Sequence, residues 1–227
     1  MDRIEATKQW MTDRRASGLQ EAVYYCYGTV VPGDLVEFGT MTGHTARAIA
    51  EAMLAVESEY RLPPKRFHLY DSFEGLPEPV AIPDTASPHV QLGHWARGGC
   101  KVLGKEELNQ VMLELLPPDR FDLVEGWYSD TVPQGSPDQR YAFIHVDCDL
   151  YQSTIDCLTP LFQRGQVSAG AVICFDDWMC NRASNSFGER RAFIELTERF
   201  GIQSEQWGSY TWSGARFLIH NYRGCRG

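Results

Sequence analysis

At 227 residues, 43% of them hydrophobic and 12% aromatic, the chain is long and apolar enough for one large α/β domain. No run approaches the ~18 consecutive apolar residues that a membrane span needs, and a formal charge of −9 argues against a nucleic-acid partner, which relies on clustered Lys and Arg. Seven cysteines with no Cys-x-x-Cys pair, and a start of Met1-Asp-Arg-Ile-Glu without an apolar leader, predict reduced thiols, no thiolate zinc and a cytoplasmic setting.

In chain order, residues 3 to 27 read as two helical pieces, Arg3 to Arg14 and Leu19 to Tyr27, broken at Ser17-Gly18. This segment, about residues 1–30, is expected to serve as a lid or an oligomer contact ahead of a domain over 31–227. Asp34-Leu-Val-Glu-Phe-Gly39 is a short strand. The helix after it, from about Thr42 to Glu59, carries Ala46, Ile49, Ala50, Met53 and Leu54 at helical spacing and stops at Pro63-Pro64. Arg66 to Asp71 is a second strand, and the Pro- and Gly-rich stretch from Glu78 to Gly99 is an excursion without regular structure. A helix over Gly104 to Leu116 and a strand over Phe121 to Glu125 follow. Two apolar strands, Ala142 to Asp147 and Ala171 to Asp176, flank a crossover helix at Gln152 to Arg164. A helix from about Phe187 to Arg199 leads to two alternating segments, Ser209 to Trp212 and Ala215 to His220, that suit a terminal hairpin. The pattern is a doubly wound α/β sheet, mostly parallel and seven-stranded, ending in an antiparallel pair.

The chemistry gathers where these strands end. Asp147 and Asp149 close one strand, and Asp176 and Asp177 close the next. Parallel neighbours finish on the same edge, the edge where α/β proteins bind ligands. Four carboxylates there repel one another unless a cation compensates, and an all-oxygen donor set favours Mg²⁺ over zinc. Helix capping would account for one such acid-tipped strand, but less well for two side by side.

The first loop, Glu37-Phe-Gly39-Thr-Met-Thr-Gly43-His-Thr45, has glycines that admit a ligand close to the backbone. Its Gly-x-x-x-Gly departs from the Gly-x-Gly-x-x-Gly that seats a pyrophosphate, which disfavours a nicotinamide oxidoreductase. Glu37 and Asp71 stand at the tips of the first two strands, where a ribose and a positive group can be held. S-adenosylmethionine, a nucleoside without phosphates that carries a sulfonium and an ammonium, satisfies both acids.

Five segments then make the pattern specific: Val36-Glu-Phe-Gly39, Asp71-Ser-Phe-Glu-Gly-Leu-Pro77, Gly126-Trp-Tyr-Ser-Asp-Thr131, Val146-Asp-Cys-Asp-Leu-Tyr-Gln-Ser-Thr154 and Phe175-Asp-Asp177. In this order they resemble the macrocin O-methyltransferase family, over residues 34 to about 178. The resemblance implies a Rossmann-like class I fold, S-adenosylmethionine with Mg²⁺, a sugar hydroxyl on a natural product as acceptor, and an oligomer. The expected cofactor contacts are Glu37, Phe38, Gly39, Thr40, Gly43, His44, Thr45, Asp71, Ser72, Gly126, Trp127 and Asp147. Asp147, Asp176 and Asp177 are the expected metal ligands. Asp149 is the preferred general base, with Asp147 able to combine both roles.

Other residues carry blander expectations. His145 reads as a satisfied core histidine, Cys148 and Cys174 as packing, and Glu189-Arg190-Arg191 as a solvated helix face. A catechol-type O-methyltransferase and a noncatalytic nucleotide-binding scaffold are the competing functions. A catechol offered beside a glycoside separates the first; the mutual repulsion of four unneutralised acids weighs against the second.

Overall fold

The computed structural model describes residues 2–226. Helix α1 (Arg3–Gly28) runs unbroken for 26 residues, so Ser17-Gly18 is not the expected break. The reason is tertiary. A Cβ added at Gly18 would lie 2.2 Å from Tyr210 Cβ, so the glycine lets the helix pass close over that ring.

Strand β1 (Asp34–Phe38) leads through the first loop into α2 (His44–Tyr60), and β2 (Phe67–Asp71) runs into the long excursion. That excursion contains two single-turn helices, α3 (Ile82–Thr85) and α4 (Pro88–Gln91), each with a proline in its first turn, where the missing N–H costs nothing. Then come α5 (Lys105–Leu113), β3 (Phe121–Glu125) and the short α6 (Tyr128–Thr131). Strand β4 (Tyr141–Val146), α7 (Tyr151–Gln163), β5 (Val167–Phe175) and α8 (Gly188–Phe200) follow, before β6 (Gln203–Ser209) and β7 (Ala215–Asn221).

The strands form one seven-stranded sheet in the order β3-β2-β1-β4-β5-β7-β6. β1 through β5 are mutually parallel, and β7 runs antiparallel to both β5 and β6. The order reverses at β1 and β4, and ligands bind beyond the strand ends at such a switch.

The terminal hairpin lies earlier than its alternation suggests. Residues 210–214 are its turn, in which Thr211 Oγ1 accepts N–H groups from Ser213 at 3.2 Å and Gly214 at 2.6 Å. β6 is an edge strand of mostly exposed polar residues, so it shows no apolar period.

Alternate side chains of the strands feed two cores. Leu35, Leu69, Phe143 and Val172 pack with α1, α2 and α5 on one face, and Val36, Phe38, Ile144, Ile173 and Phe175 with α7 and α8 on the other. Among the described residues no helix is long and apolar enough to cross a membrane.

Candidate active site

At the carboxyl edge of β4, the Asp147 N–H still donates to Phe38 O (2.9 Å), and on β5 the Asp176 N–H donates to Val146 O (2.9 Å). Because these strands are adjacent and parallel, the acids beyond their ends converge. Asp147, Asp176 and Asp177 each place one carboxylate oxygen within 4.8 Å of the others. Asp176 is buried. Its Oδ1 accepts from the Tyr210 hydroxyl (3.2 Å), and its Oδ2 pairs with Arg15 Nη2 of α1 (2.9 Å). Asp177 accepts from the Cys180 thiol at 3.0 Å.

This concentration of negative charge is costly without a cation. Burial, and then the neighbouring Asp176, Asp177 and Asp149, hold Asp147 well above the ordinary carboxylate range. Burial and Asp177 do the same to Asp149. Burial with Asp176 pushes Asp177 up to about 6. Burial alone would weaken the charge on Arg15, but Asp176 and Asp147 outweigh it and raise its pKa. Three converging oxygen donors whose charge the protein leaves largely uncompensated fit a hard divalent cation.

Asp149 lies outside that trio. Its backbone is left-handed, with φ at 59°, which costs a side-chain-bearing residue about 1 kcal/mol. Asp149 and Cys100 both stand on the wall of a cavity.

The cavity runs from this acid edge over the tips of β1, β2 and β3. Of the expected cofactor contacts, Gly39, Thr40, Asp71, Ser72, Gly126, Trp127 and Asp147 line it, whereas Glu37, Phe38, Gly43, His44 and Thr45 do not. Gly39 has φ at 90°, and a Cβ there would fall 2.0 Å from Asp147 O, so only glycine lets the first loop pass the end of β4. Asp71 ties this loop to β2. Its Oδ2 accepts from the N–H (2.7 Å) and the hydroxyl (2.8 Å) of Thr40, and its Oδ1 from the Phe73 N–H (2.8 Å). A carboxylate accepts about four such bonds, so capacity for a further hydroxyl remains.

Glu37 instead points into the sheet. Its Oε1 sits 2.8 Å from His145 Nδ1, both residues fully buried, and its Oε2 has no hydrogen-bond partner among the described residues. His145 Nε2 lies 3.5 Å from the Tyr210 hydroxyl. A polar row therefore runs from Glu37 through His145 and Tyr210 to Asp176, beneath the acid edge.

The excursion after Pro77 closes the cavity through Leu76, Pro77, Glu78 and Val80. Buried Asp84 pins it by accepting the Tyr151 (2.7 Å) and Gln152 (3.1 Å) N–H groups, so it caps α7 where Leu150 offers no acceptor. Four residues of this site were not singled out for it by sequence reasoning: Arg15, Asp84, Tyr210 and Glu189. Glu189 is 1% exposed and not on a solvated face. The first three meet their partners across 34 to 161 residues of chain, and no local pattern marks them.

The seven-stranded sheet, with its antiparallel β5-β7-β6 end, is that of a class I O-methyltransferase fold. More particularly, the chain belongs to the macrocin O-methyltransferase family, whose model, described as Macrocin-O-methyltransferase (TylF), matches residues 1–203. The chain is similar to an 8-demethyl-8-(2,3-dimethoxy-alpha-L-rhamnosyl)-tetracenomycin-C 4'-O-methyltransferase of Streptomyces olivaceus, at 33% identity over 183 residues. That match covers 78% of this chain and 64% of the relative, so it spans less than two-thirds of the relative's length. It is also similar to the mycinamicin III 3''-O-methyltransferase of Micromonospora griseorubida, at 29% identity over 85% of this chain and 71% of that protein. Among solved structures, the O-methyltransferase NovP superposes with a TM-score of 0.72 at 24% identity, over 92% of this chain and 80% of that one, a likeness of fold.

Proposed function

We propose that this protein is an S-adenosylmethionine-dependent, Mg²⁺-dependent O-methyltransferase acting on a sugar hydroxyl of a glycosylated small molecule. The observation that carries the reading is the trio Asp147, Asp176 and Asp177, with one oxygen each within 4.8 Å, of which Asp147 lines the same cavity as Asp71. The sugar acceptor is favoured by the rhamnosyl tetracenomycin on which one relative is named as acting.

In this reading Asp147, Asp176 and Asp177 hold the cation, which when bound supplies Lewis acidity to the acceptor hydroxyl. Asp71, Thr40 and the Gly39 turn hold the nucleoside. Asp149 takes the hydroxyl proton as the acceptor oxygen attacks the methyl carbon in line and the sulfonium C–S bond breaks to release S-adenosylhomocysteine, a role favoured by its place on the cavity wall with Asp147. The excursion pinned by Asp84 keeps water from the reacting atoms. Holding acceptor and methyl donor near contact can lower the barrier by ~7 kcal/mol or more. Residues 1–30 act as a lid or an oligomer contact beside a methyltransferase domain over 31–227. Support for this comes from Arg15, which reaches Asp176 from α1.

The test is transfer of a labelled methyl group from S-adenosylmethionine to a rhamnosylated polyketide, its aglycone and a catechol, with EDTA and after Mg²⁺ is restored. Labelling of the glycoside alone, lost in EDTA and regained with Mg²⁺, is the expected result. Labelling of the catechol instead would move the assignment to the catechol type, and no labelling with no cofactor binding would favour a scaffold.

A further inference from the structure

The ladder that joins β1, β4 and β5 ends with the N–H groups of Asp147 and Asp176. The next residue on each strand, Cys148 and Asp177, turns away from the sheet and has no backbone acceptor there. Both N–H groups converge instead on one side chain from the first turn of α8. Cys148 N–H donates to Glu189 Oε1 at 3.2 Å, and Asp177 N–H donates to Glu189 Oε2 at 3.0 Å. Glu189 is 1% exposed. Two donors arriving on two oxygens is a geometry that a carboxylate meets and an amide does not.

We infer that Glu189 is a positioning residue, a carboxylate clasp that extends the β4–β5 seam by one rung and fixes the spacing between Asp147 and Asp177. It touches neither acceptor nor cofactor in this role. The inference rests on the metal reading proposed above and adds to it a residue that governs which cation fits. Mg²⁺ demands near-octahedral oxygens at about 2.0–2.1 Å, whereas Ca²⁺ accepts about 2.3–2.6 Å in looser geometry. A clasp that holds two ligand loops at fixed separation favours the smaller ion, and a loosened clasp surrenders that preference before it surrenders binding. In Glu189→Gln the side chain keeps one acceptor and presents an NH₂ to the other N–H, which opposes donor to donor.

The experiment measures Mn²⁺, Mg²⁺ and Ca²⁺ affinity of the full chain and of E189Q, by the free Mn²⁺ resonance signal and by competition against it, with S-adenosylhomocysteine affinity recorded alongside. The expected result is a loss in Mn²⁺ affinity of about tenfold or more in E189Q. The preference for Mg²⁺ over Ca²⁺ should narrow, and S-adenosylhomocysteine binding should be retained. Equal Mn²⁺ affinity and equal Mg²⁺/Ca²⁺ preference in the two proteins would overturn the clasp and leave the metal reading standing. A parent chain that takes up no divalent cation would overturn both. Should E189Q fail to fold, the parent is read by amide hydrogen exchange. The Cys148 and Asp177 amides should be protected without metal, and fast exchange at both would overturn the clasp.

Discussion

The two ends of the cavity are built on opposite principles. At the β1–β2 end, Asp71 accepts three hydrogen bonds from Thr40 and Phe73, and the Gly39 turn is seated against Asp147 O. That end is internally satisfied and organised before any ligand arrives. At the β4–β5 end, Asp147, Asp149, Asp176 and Asp177 crowd together with Glu189, and Arg15 pairs with one of them. That end carries charge that the fold does not neutralise. A pre-satisfied end recognises shape, whereas a frustrated end stores a demand for a cation. Removing an acid therefore has different consequences at the two ends.

The largest effect is expected at the frustrated end. Asp147→Ala should lower methyl transfer by about 10³-fold or more, the scale of several kcal/mol of Lewis-acid stabilisation. S-adenosylhomocysteine affinity should stay largely intact, and steady-state rates beside calorimetry check both. Asp149→Asn should cost about 10²–10⁴-fold in kcat while Mg²⁺ affinity is kept, the signature of a lost base rather than a lost ligand. At the satisfied end, Asp71→Ala should weaken S-adenosylhomocysteine by about tenfold and leave metal affinity unchanged, which titration of both ligands resolves. Equal losses of cofactor affinity in Asp71→Ala and Asp147→Ala would erase the distinction between the ends.

The smallest effect is on stability against pH. Asp177 ionises near 3.8 when unexposed to such neighbours and at about 6 in the fold. Between those values the unfolded chain has released a proton that the folded chain retains. The metal-free protein should therefore lose stability as the pH rises through this window. The raised Asp147, Asp149 and Glu189 extend that loss to higher pH. Saturating Mg²⁺ should cancel the trend, and thermal melts from pH 4 to 8 with and without Mg²⁺ measure it.

Much of this comparison is legible in the sequence because both ends sit on buried parallel strands with continuous apolar runs. The tips bearing Asp147 and Asp176 follow from those runs alone. Features set by distant contacts are not legible. Gly18 looks like a helix break because its reason, the Tyr210 ring, lies 192 residues away. β6 is an exposed edge without apolar period, so Tyr210 and Thr211, buried by the turn, imitate a strand one step too late. Glu189 sits in a charged triplet whose Arg190 and Arg191 are partly exposed, and only the fold turns that one acid inward. Glu37, at the tip of β1 where acids meet cofactors, is drawn instead to His145 on the neighbouring strand.

The measurement that tests the central claim most directly is calorimetric titration of Mg²⁺ into the EDTA-treated chain saturated with S-adenosylhomocysteine, run beside Asp176→Ala. One saturable Mg²⁺ site is expected in the parent and its loss in the variant, with S-adenosylhomocysteine bound by both. A parent that binds S-adenosylhomocysteine but no Mg²⁺, or a variant that binds Mg²⁺ as the parent does, would contradict it.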